Sequence, residues 1–258
     1  MQAYERVQLA RASDRPGASQ FIGAMFTDFI ELHGDRGFSD DRAVITGIGR
    51  LRGLPVTVIG IEKGQDTKAR LHANFGSAHP EGYRKALRQM RLAEKFHRPV
   101  ITLIDTSGAY CGIGAEERGQ GEAIARNLTG LMSLQTPVLA LLTGEGGSGG
   151  ALALAVADEV WMMENAVYSV ISPEGCASIL WKDASKTKEA AEHLKLTAPD
   201  LHKLGVIERV ISEEGGFDLV FPRLRDEMFA LISRLMSLPV DTLLQNRYQR
   251  FRNMGGTF

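Results

Sequence analysis

The chain's 258 residues are enough for one large α/β domain or two small ones, and burial scaling allows a sizeable core at this length. Apolar residues make up 44% and charged residues 24%, an ordinary globular balance, and a formal net charge of -1 argues against a general nucleic-acid binder. The two cysteines, Cys111 and Cys176, form no CxxC pair and share no His/Cys spacing, which argues against a disulfide framework and against a zinc site.

The N-terminal stretch MQAYERVQLARASDRPG holds no apolar core segment, so no secretory signal is expected, and no apolar run reaches the length that spans a bilayer. A soluble, cytoplasmic chain without a membrane or nucleic-acid role is the expectation. VQLARASDRPGASQ (7–20) is polar and reads as loose. FIGAMFTDFIEL (21–32) spaces Phe21, Ile22, Met25, Phe26, Phe29 and Ile30 like one face of a helix. GDRGFSDD (34–41) reads as a loop. AVITGIGRL (43–51) and LPVTVIGIE (54–62) are rich in β-branched residues and join at Arg52-Gly53, the pattern of a hairpin.

The spacing over 80–96 predicts a helix. Tyr83, Ala86, Leu87, Met90, Ala93 and Phe96 make an apolar stripe; Arg84, Lys85, Arg88, Arg91 and Lys95 make an opposite, basic face. That face reads as solvated, with CoA phosphates or an acidic carrier as the functional alternative. Lys63 and Lys68, just past a strand end, are better phosphate candidates. Pro99 stops the helix, VITLID (100–105) is a strand, and the loop TSGAYCGIG (106–114) leads into a helix from about Ala115 to Leu134. Pro137 precedes the strand VLALLT (138–143).

A short helix, Gly149 to Ala157, and the strands VWMM (160–163) and VYSVI (167–171) come next. Ser172-Pro173-Glu174 has a capping serine, a proline at the first helical position and an acid in the first turn. Helices continue to about Leu204, Gly205 breaks them, VIERVI (206–211) is a strand and FPRLRDEMFALISRLM (221–236) is an amphipathic helix. Alternating strands and helices with glycine loops at strand ends describe an α/β domain.

GEGGSGGALALAV (144–156) packs five glycines into seven residues directly before a helix. Gly144, Gly146 and Gly149 match the GxGxxG of a dinucleotide site, with Glu164 about twenty residues on, yet the helix is short for that unit. The segment 146–150 also fits the GxSxG of a nucleophile elbow around Ser148, with His193 and His202 as the available bases, both in polar helical segments. A third reading is an oxyanion hole, in which amides at a helix start meet an oxygen that no side chain keeps away. Close packing of helix on sheet is the plain alternative, and it covers two or three glycines more easily than five. DTSGAYCGIGAEERGQGEAIARNL (105–128) repeats the strand–loop–helix arrangement. Two adjacent strand ends then offer bare backbone at one sheet edge, where ligands collect in open α/β sheets, and a ligand passing through an enolate or oxyanion fits both.

The stretches EGYRKALR, DTSGAY, GAEERGQ, EAIARNL, GEGGSGGALA and YSVISPEGCASILWK closely resemble the α-subunit family of bacterial acetyl-CoA carboxylase carboxyltransferases. The resemblance runs from about Gly34 to Lys182 and returns weakly at NRYQR (246–250). HKLGVIERVI (202–211) is similar to the helix-Gly-strand exit of the wider ClpP/crotonase superfamily. The fold implied is α/β, a ClpP/crotonase-like spiral of ββα units with peripheral helices: a single domain over 1–258, core about 34–212, C-terminal helices about 217–250. The reaction implied moves a carboxyl group from carboxybiotin, on a separate biotin carboxyl carrier protein, to acetyl-CoA. Its product is malonyl-CoA, in the first committed step of fatty acid biosynthesis.

Carried over by motif, the catalytic oxyanion donors for the biotin carbonyl fall on Gly149 and Gly150. Gly108, Ala109, Gly146 and Gly147 then line the cofactor cavity. The resemblance puts zinc in the partner carboxyltransferase β subunit of an α2β2 assembly, ATP use in the biotin carboxylase component, and no metal here. Ser107 and Cys111 stand where the family loop TPGAYPG has prolines, which stiffen a chain, so this loop is expected to be more mobile. Cys111 reads as a buried, inert cysteine, with a reactive thiol as the alternative. The resemblance also leads one to expect a longer helical N-terminal extension that the sequence does not show. Two other readings stay open: an enoyl-CoA hydratase using Glu116 and Glu117, and a non-catalytic assembly subunit docking through its C-terminal amphipathic helix.

Overall fold

The computed structural model describes residues 1–255. One mixed sheet runs through them in the order β1 (Thr27–Glu31), β2 (Val44–Leu51), β3 (Leu54–Ile61), β4 (Val100–Thr106), β5 (Val138–Gly147), β6 (Glu159–Met163) and β8 (Arg209–Ile211), with β7 (Val167–Ser169) paired to the end of β5. The first three strands are antiparallel; every later pair is parallel. The β2–β3 hairpin turns on Arg52 (φ 50°) and Gly53 (φ 86°), two left-handed residues of the kind a two-residue hairpin loop requires. β4 is buried along its whole length, as expected for a parallel strand covered on both faces.

Twelve α-helices surround the sheet within the described residues. α4 (Pro80–Lys95) packs on β2 and β3, and α6 (Gln120–Ser133) lies against it and against α7 (Ser148–Ala155). α7 in turn sits on β4 and β5. α2 (Ala18–Met25) packs on β3 and β4, with α11 (Phe217–Met236) behind it: Phe21 meets Phe217 and Phe221 edge-on at 5.9 and 5.1 Å. The remaining helices are α1 (Ala3–Ala10), α3 (Thr67–His72), α5 (Ile113–Glu117), α8 (Pro173–Leu180), α9 (Thr187–His193), α10 (Ala198–Lys203) and α12 (Val240–Asn253). α8 starts as read from the sequence, with the Ser172 hydroxyl accepting from the Gly175 N–H at 3.1 Å.

Several expectations need correction. The helix over 21–32 ends at Met25, and Thr27–Glu31 becomes an edge strand whose Phe29 ring covers the bare Cα of Gly47. The segment 7–20 is ordered: Val7 to Ala10 lie in α1, and Arg15 forks onto Glu213 with Nη–Oε distances of 3.0 and 2.6 Å. The helix over 115–134 is two helices, because Gly119 turns the chain at φ 80°. Strand β5 runs four residues past Thr143, through Gly147, and the last strand is only Arg209–Ile211. α11 starts at Phe217, with Pro222 inside it. Phe96, assigned to the buried stripe of α4, is 58% exposed.

Candidate functional site

The parallel strands β3, β4 and β5 end side by side, and their ends carry Lys63, Asp105 and Glu145. Lys63 Nζ lies 3.0 Å from Asp105 Oδ1 and 2.5 Å from Glu145 Oε2, and the Glu145 N–H donates to Asp105 Oδ1 at 2.8 Å. From the N-terminal segment, Arg11 Nε reaches Glu145 Oε1 at 2.6 Å and Nη1 reaches Glu174 Oε1 at 2.8 Å. Burial opposes charge on both Lys63 and Glu145, yet the partners win: the lysine pKa is held above its ordinary value, the glutamate's below. Lys63 is therefore committed to the strand ends and is not a free phosphate ligand. Lys68, on α3, is exposed.

Above this charged layer β5 ends at Gly147, Ser148 turns at φ 52°, and α7 begins. Thr106 pairs with Gly146, so the 107–112 loop runs beside the helix start. The bare Cα of Gly147 faces the Ser107 carbonyl oxygen. That of Gly150 faces the Ala109 nitrogen, the Gly108 carbonyl carbon and the Tyr83 hydroxyl. A β-carbon at either position would strike loop backbone, which is why glycines concentrate here. Gly149 differs: the nearest atoms to a β-carbon there belong to the Ile124 side chain, at 3.8 and 3.9 Å. No side chain caps α7, and first-turn amides have no acceptor inside their own helix. Gly149 opens on a cavity of about 380 Å³, lined also by Ser148, Leu152, Tyr168, Arg250 and Phe251.

Gly149, Gly150, Gly108 and Ala109 are thus brought together, with Gly147 at their edge. Gly146 is not: it lies in the sheet, with the Leu142 side chain and the Tyr168 ring over its Cα. Packing explains Gly146, Gly147 and Gly150; it leaves Gly149 unexplained. Ser148 has a left-handed, elbow-like φ, but among the described residues it makes no hydrogen bond to a histidine, and His193 stacks on Trp181 at 5.9 Å. Glu164 accepts from the Glu213 N–H at 3.2 Å. Glu116 and Glu117 are exposed on the five-residue α5. Cys111 is exposed, contrary to the expectation of burial, and Cys176 is buried.

The basic face of α4 is not solvated along its length. Lys85, 1% exposed, donates to Asp40 Oδ1 at 2.6 Å and to the Asp41 carbonyl at 2.7 Å; Arg84 meets Asp35 at 2.8 Å; Arg88 donates to the carbonyls of His33 and Gly34. These cations organise the 33–41 loop. Sequence reasoning missed Glu145, Tyr168 and Arg250 as members of the site. The weak NRYQR resemblance was the only signal pointing at Arg250.

The chain matches, over residues 1–255, the family described as acetyl co-enzyme A carboxylase carboxyltransferase-like. It is 61% identical over 256 residues to the acetyl-coenzyme A carboxylase carboxyl transferase subunit alpha of Ruminiclostridium cellulolyticum, covering 99% of this chain and 98% of that one. It is 57% identical over 245 residues to the subunit of the same name from Streptococcus uberis, covering 95% and 96%. Among solved structures, transcarboxylase 12S superposes with a TM-score of 0.69 at 18% identity; the match covers 87% of this chain but only 44% of that one. The Pseudomonas malonate decarboxylase MdcD–MdcE heterodimer gives 0.65 at 16% identity, covering 83% and 90%. These likenesses identify the α/β fold as crotonase-like, as the motifs implied.

Proposed function

The chain belongs to the acetyl-CoA carboxylase carboxyltransferase-like family, and we propose that it is the α subunit that moves a carboxyl group from carboxybiotin to acetyl-CoA, giving malonyl-CoA for fatty acid biosynthesis. It works in the cytoplasm as one carboxyltransferase domain. A β subunit carrying the zinc completes the enzyme as an α2β2 assembly, and the carboxybiotin arrives on the biotin carboxyl carrier protein. The ATP-using step belongs to biotin carboxylase.

The observation that carries this reading is the uncapped start of α7 beside an open, largely carbon-lined cavity at Gly149. A cyclic urea has an apolar body and one carbonyl, and the cavity offers it carbon walls with amides at one edge. When bound, carboxybiotin supplies both the carboxyl group and the base. The chain's own part is then electrostatic. The Gly149 and Gly150 amides, at the positive end of the α7 dipole, stabilise an oxygen that gains negative charge, and losing one such donor costs roughly 3 kcal/mol, about a hundredfold or more in rate. The 107–109 loop is seated on Gly147 and Gly150 and does not line this cavity; it braces the start of α7, and the Lys63–Asp105–Glu145 cluster fixes the strand ends beneath.

The test is to mix the purified chain with its β subunit and measure malonyl-CoA from acetyl-CoA and carboxylated carrier. Transfer that needs both chains is expected. No product from the mixture, or hydration of crotonyl-CoA by this chain alone, would overturn the reading.

A further inference from the structure

We infer that Tyr168 and the last turns of α12 form the seat that orients the cyclic urea of the incoming carboxybiotin, with the Tyr168 hydroxyl as its hydrogen-bond donor. This rests on the carboxyltransferase reading and gives a role to Tyr168, which lies in a family stretch without having been assigned one, and to the end of α12.

The cavity of about 380 Å³ lies at the small end of the range typical of small-molecule pockets. Leu152 from α7, Val160 from β6 and Val206 from the turn after α10 line it with carbon; Phe251 and Met254 line it from α12 and the turn after it. Tyr168 enters from β7, because Gly146 on the neighbouring strand leaves room for its ring: a β-carbon there would sit 2.8 Å from Tyr168 Cδ2. Its hydroxyl makes no hydrogen bond to protein among the described residues. Burial pushes the phenol pKa up to about 12 against the lowering effect of Arg250, so at neutral pH it keeps its proton and donates.

Arg250 holds α12 over the cavity. Its Nε donates to Glu208 Oε1 at 2.6 Å and its Nη2 to the Val206 carbonyl at 2.7 Å, while Nη1 is buried without a partner. Carbon walls, the Tyr168 hydroxyl, the unpartnered Arg250 Nη1 and a helix start at Gly149 suit a compact ring bearing a carbonyl. They do not suit the phosphates of CoA, which need several cations within reach.

Free biotin is the probe, because it removes carrier docking from the measurement. Its Kd for the α/β complex is read by ligand-observed NMR, and its KM by reverse transfer from malonyl-CoA. Tyr168→Phe is expected to raise both about tenfold, the upper end for one lost hydrogen bond, and to leave the KM for malonyl-CoA unchanged. Phe251→Ala is expected to do the same by removing a wall. If the wild-type complex transfers but both variants keep its biotin Kd, the role of Tyr168 and α12 falls alone. An equal rise in the malonyl-CoA KM also overturns it, since that reports a general disturbance. Failure of the wild-type complex to transfer at all overturns this inference together with the carboxyltransferase reading.

Discussion

A methyl group added at Gly150 would meet the Ala109 amide nitrogen and, at 3.0 Å, the Tyr83 hydroxyl; the same group at Gly149 meets only Ile124, at 3.8 Å. Gly150→Ala is therefore expected to cost about 1–3 kcal/mol of stability by overpacking and to cut transfer sharply as the 107–109 loop is displaced. Thermal unfolding beside a malonyl-CoA assay reads both effects. Beneath the loop, Lys63→Met would leave Asp105 and Glu145, 6% and 8% exposed, with Arg11 as their nearest cation. A loss of about 3 kcal/mol at pH 7 is expected by urea unfolding. The pH dependence follows from the shifts. The depressed Glu145 contributes stability that is present above its ordinary value of about 4.3 and is lost as pH falls through its lower folded pKa. The raised Lys63 contributes below its ordinary value of about 10.4 and loses that as pH climbs through its higher folded pKa. Wild type should thus hold the cluster's contribution from about pH 5 to 10. The deficit of Lys63→Met should shrink on acidification as the stranded Glu145 takes up a proton.

At the scale of elements, α12 is fastened by Arg247, which is fully buried. Its Nε and Nη2 donate to Asp158 at 2.8 Å each; Nη1 reaches the carbonyls of Leu131 and Leu134, and Nη2 that of Thr136. Arg247→Met strands a buried carboxylate and three carbonyls. A loss of about 3–5 kcal/mol is expected in urea unfolding, with unchanged stability the contrary result. Such anchors mark the boundary of what the sequence discloses. α4, the β2–β3 hairpin, β4 and the Ser172 cap were legible because their signals are local: apolar spacing, two left-handed turn residues, a capping hydroxyl. α1 was not, since its order depends on Arg6, Arg11 and Arg15 meeting partners more than a hundred residues away. β1 was misread because Phe26, Phe29 and Ile30 fit a helical period as well as a pleated one. The extension of β5 through Gly147 was hidden by glycine's poor strand propensity, which pairing with Thr106 and β7 overrides. Likewise the glycine cluster announced the start of α7, whereas Arg250 and Phe251 reach its cavity from about a hundred residues further along.

For the whole molecule, strand ends of one sheet gather a charged layer, and over it an uncapped helix start opens on a carbon-walled cavity. The near-neutral net charge hides an uneven distribution, in which Arg84, Lys85 and Arg88 of α4 are spent on the 33–41 loop and Lys63 on the sheet, while Arg91 and Lys95 stay exposed. On the proposed function the part that does the chemistry is backbone. Gly149 allows that part to be isolated, because alanine there keeps the amide and brings its β-carbon only into van der Waals contact with Ile124, while proline removes the amide in the first helical turn, where it has no acceptor inside its own helix. The decisive measurement is the rate of malonyl-CoA formation by the assembled enzyme with Gly149→Ala and with Gly149→Pro. Near wild-type turnover for the alanine variant, and a fall of about a hundredfold for the proline variant with far-UV circular dichroism unchanged, is the predicted result. A folded proline variant that transfers as fast as the alanine one would contradict the account.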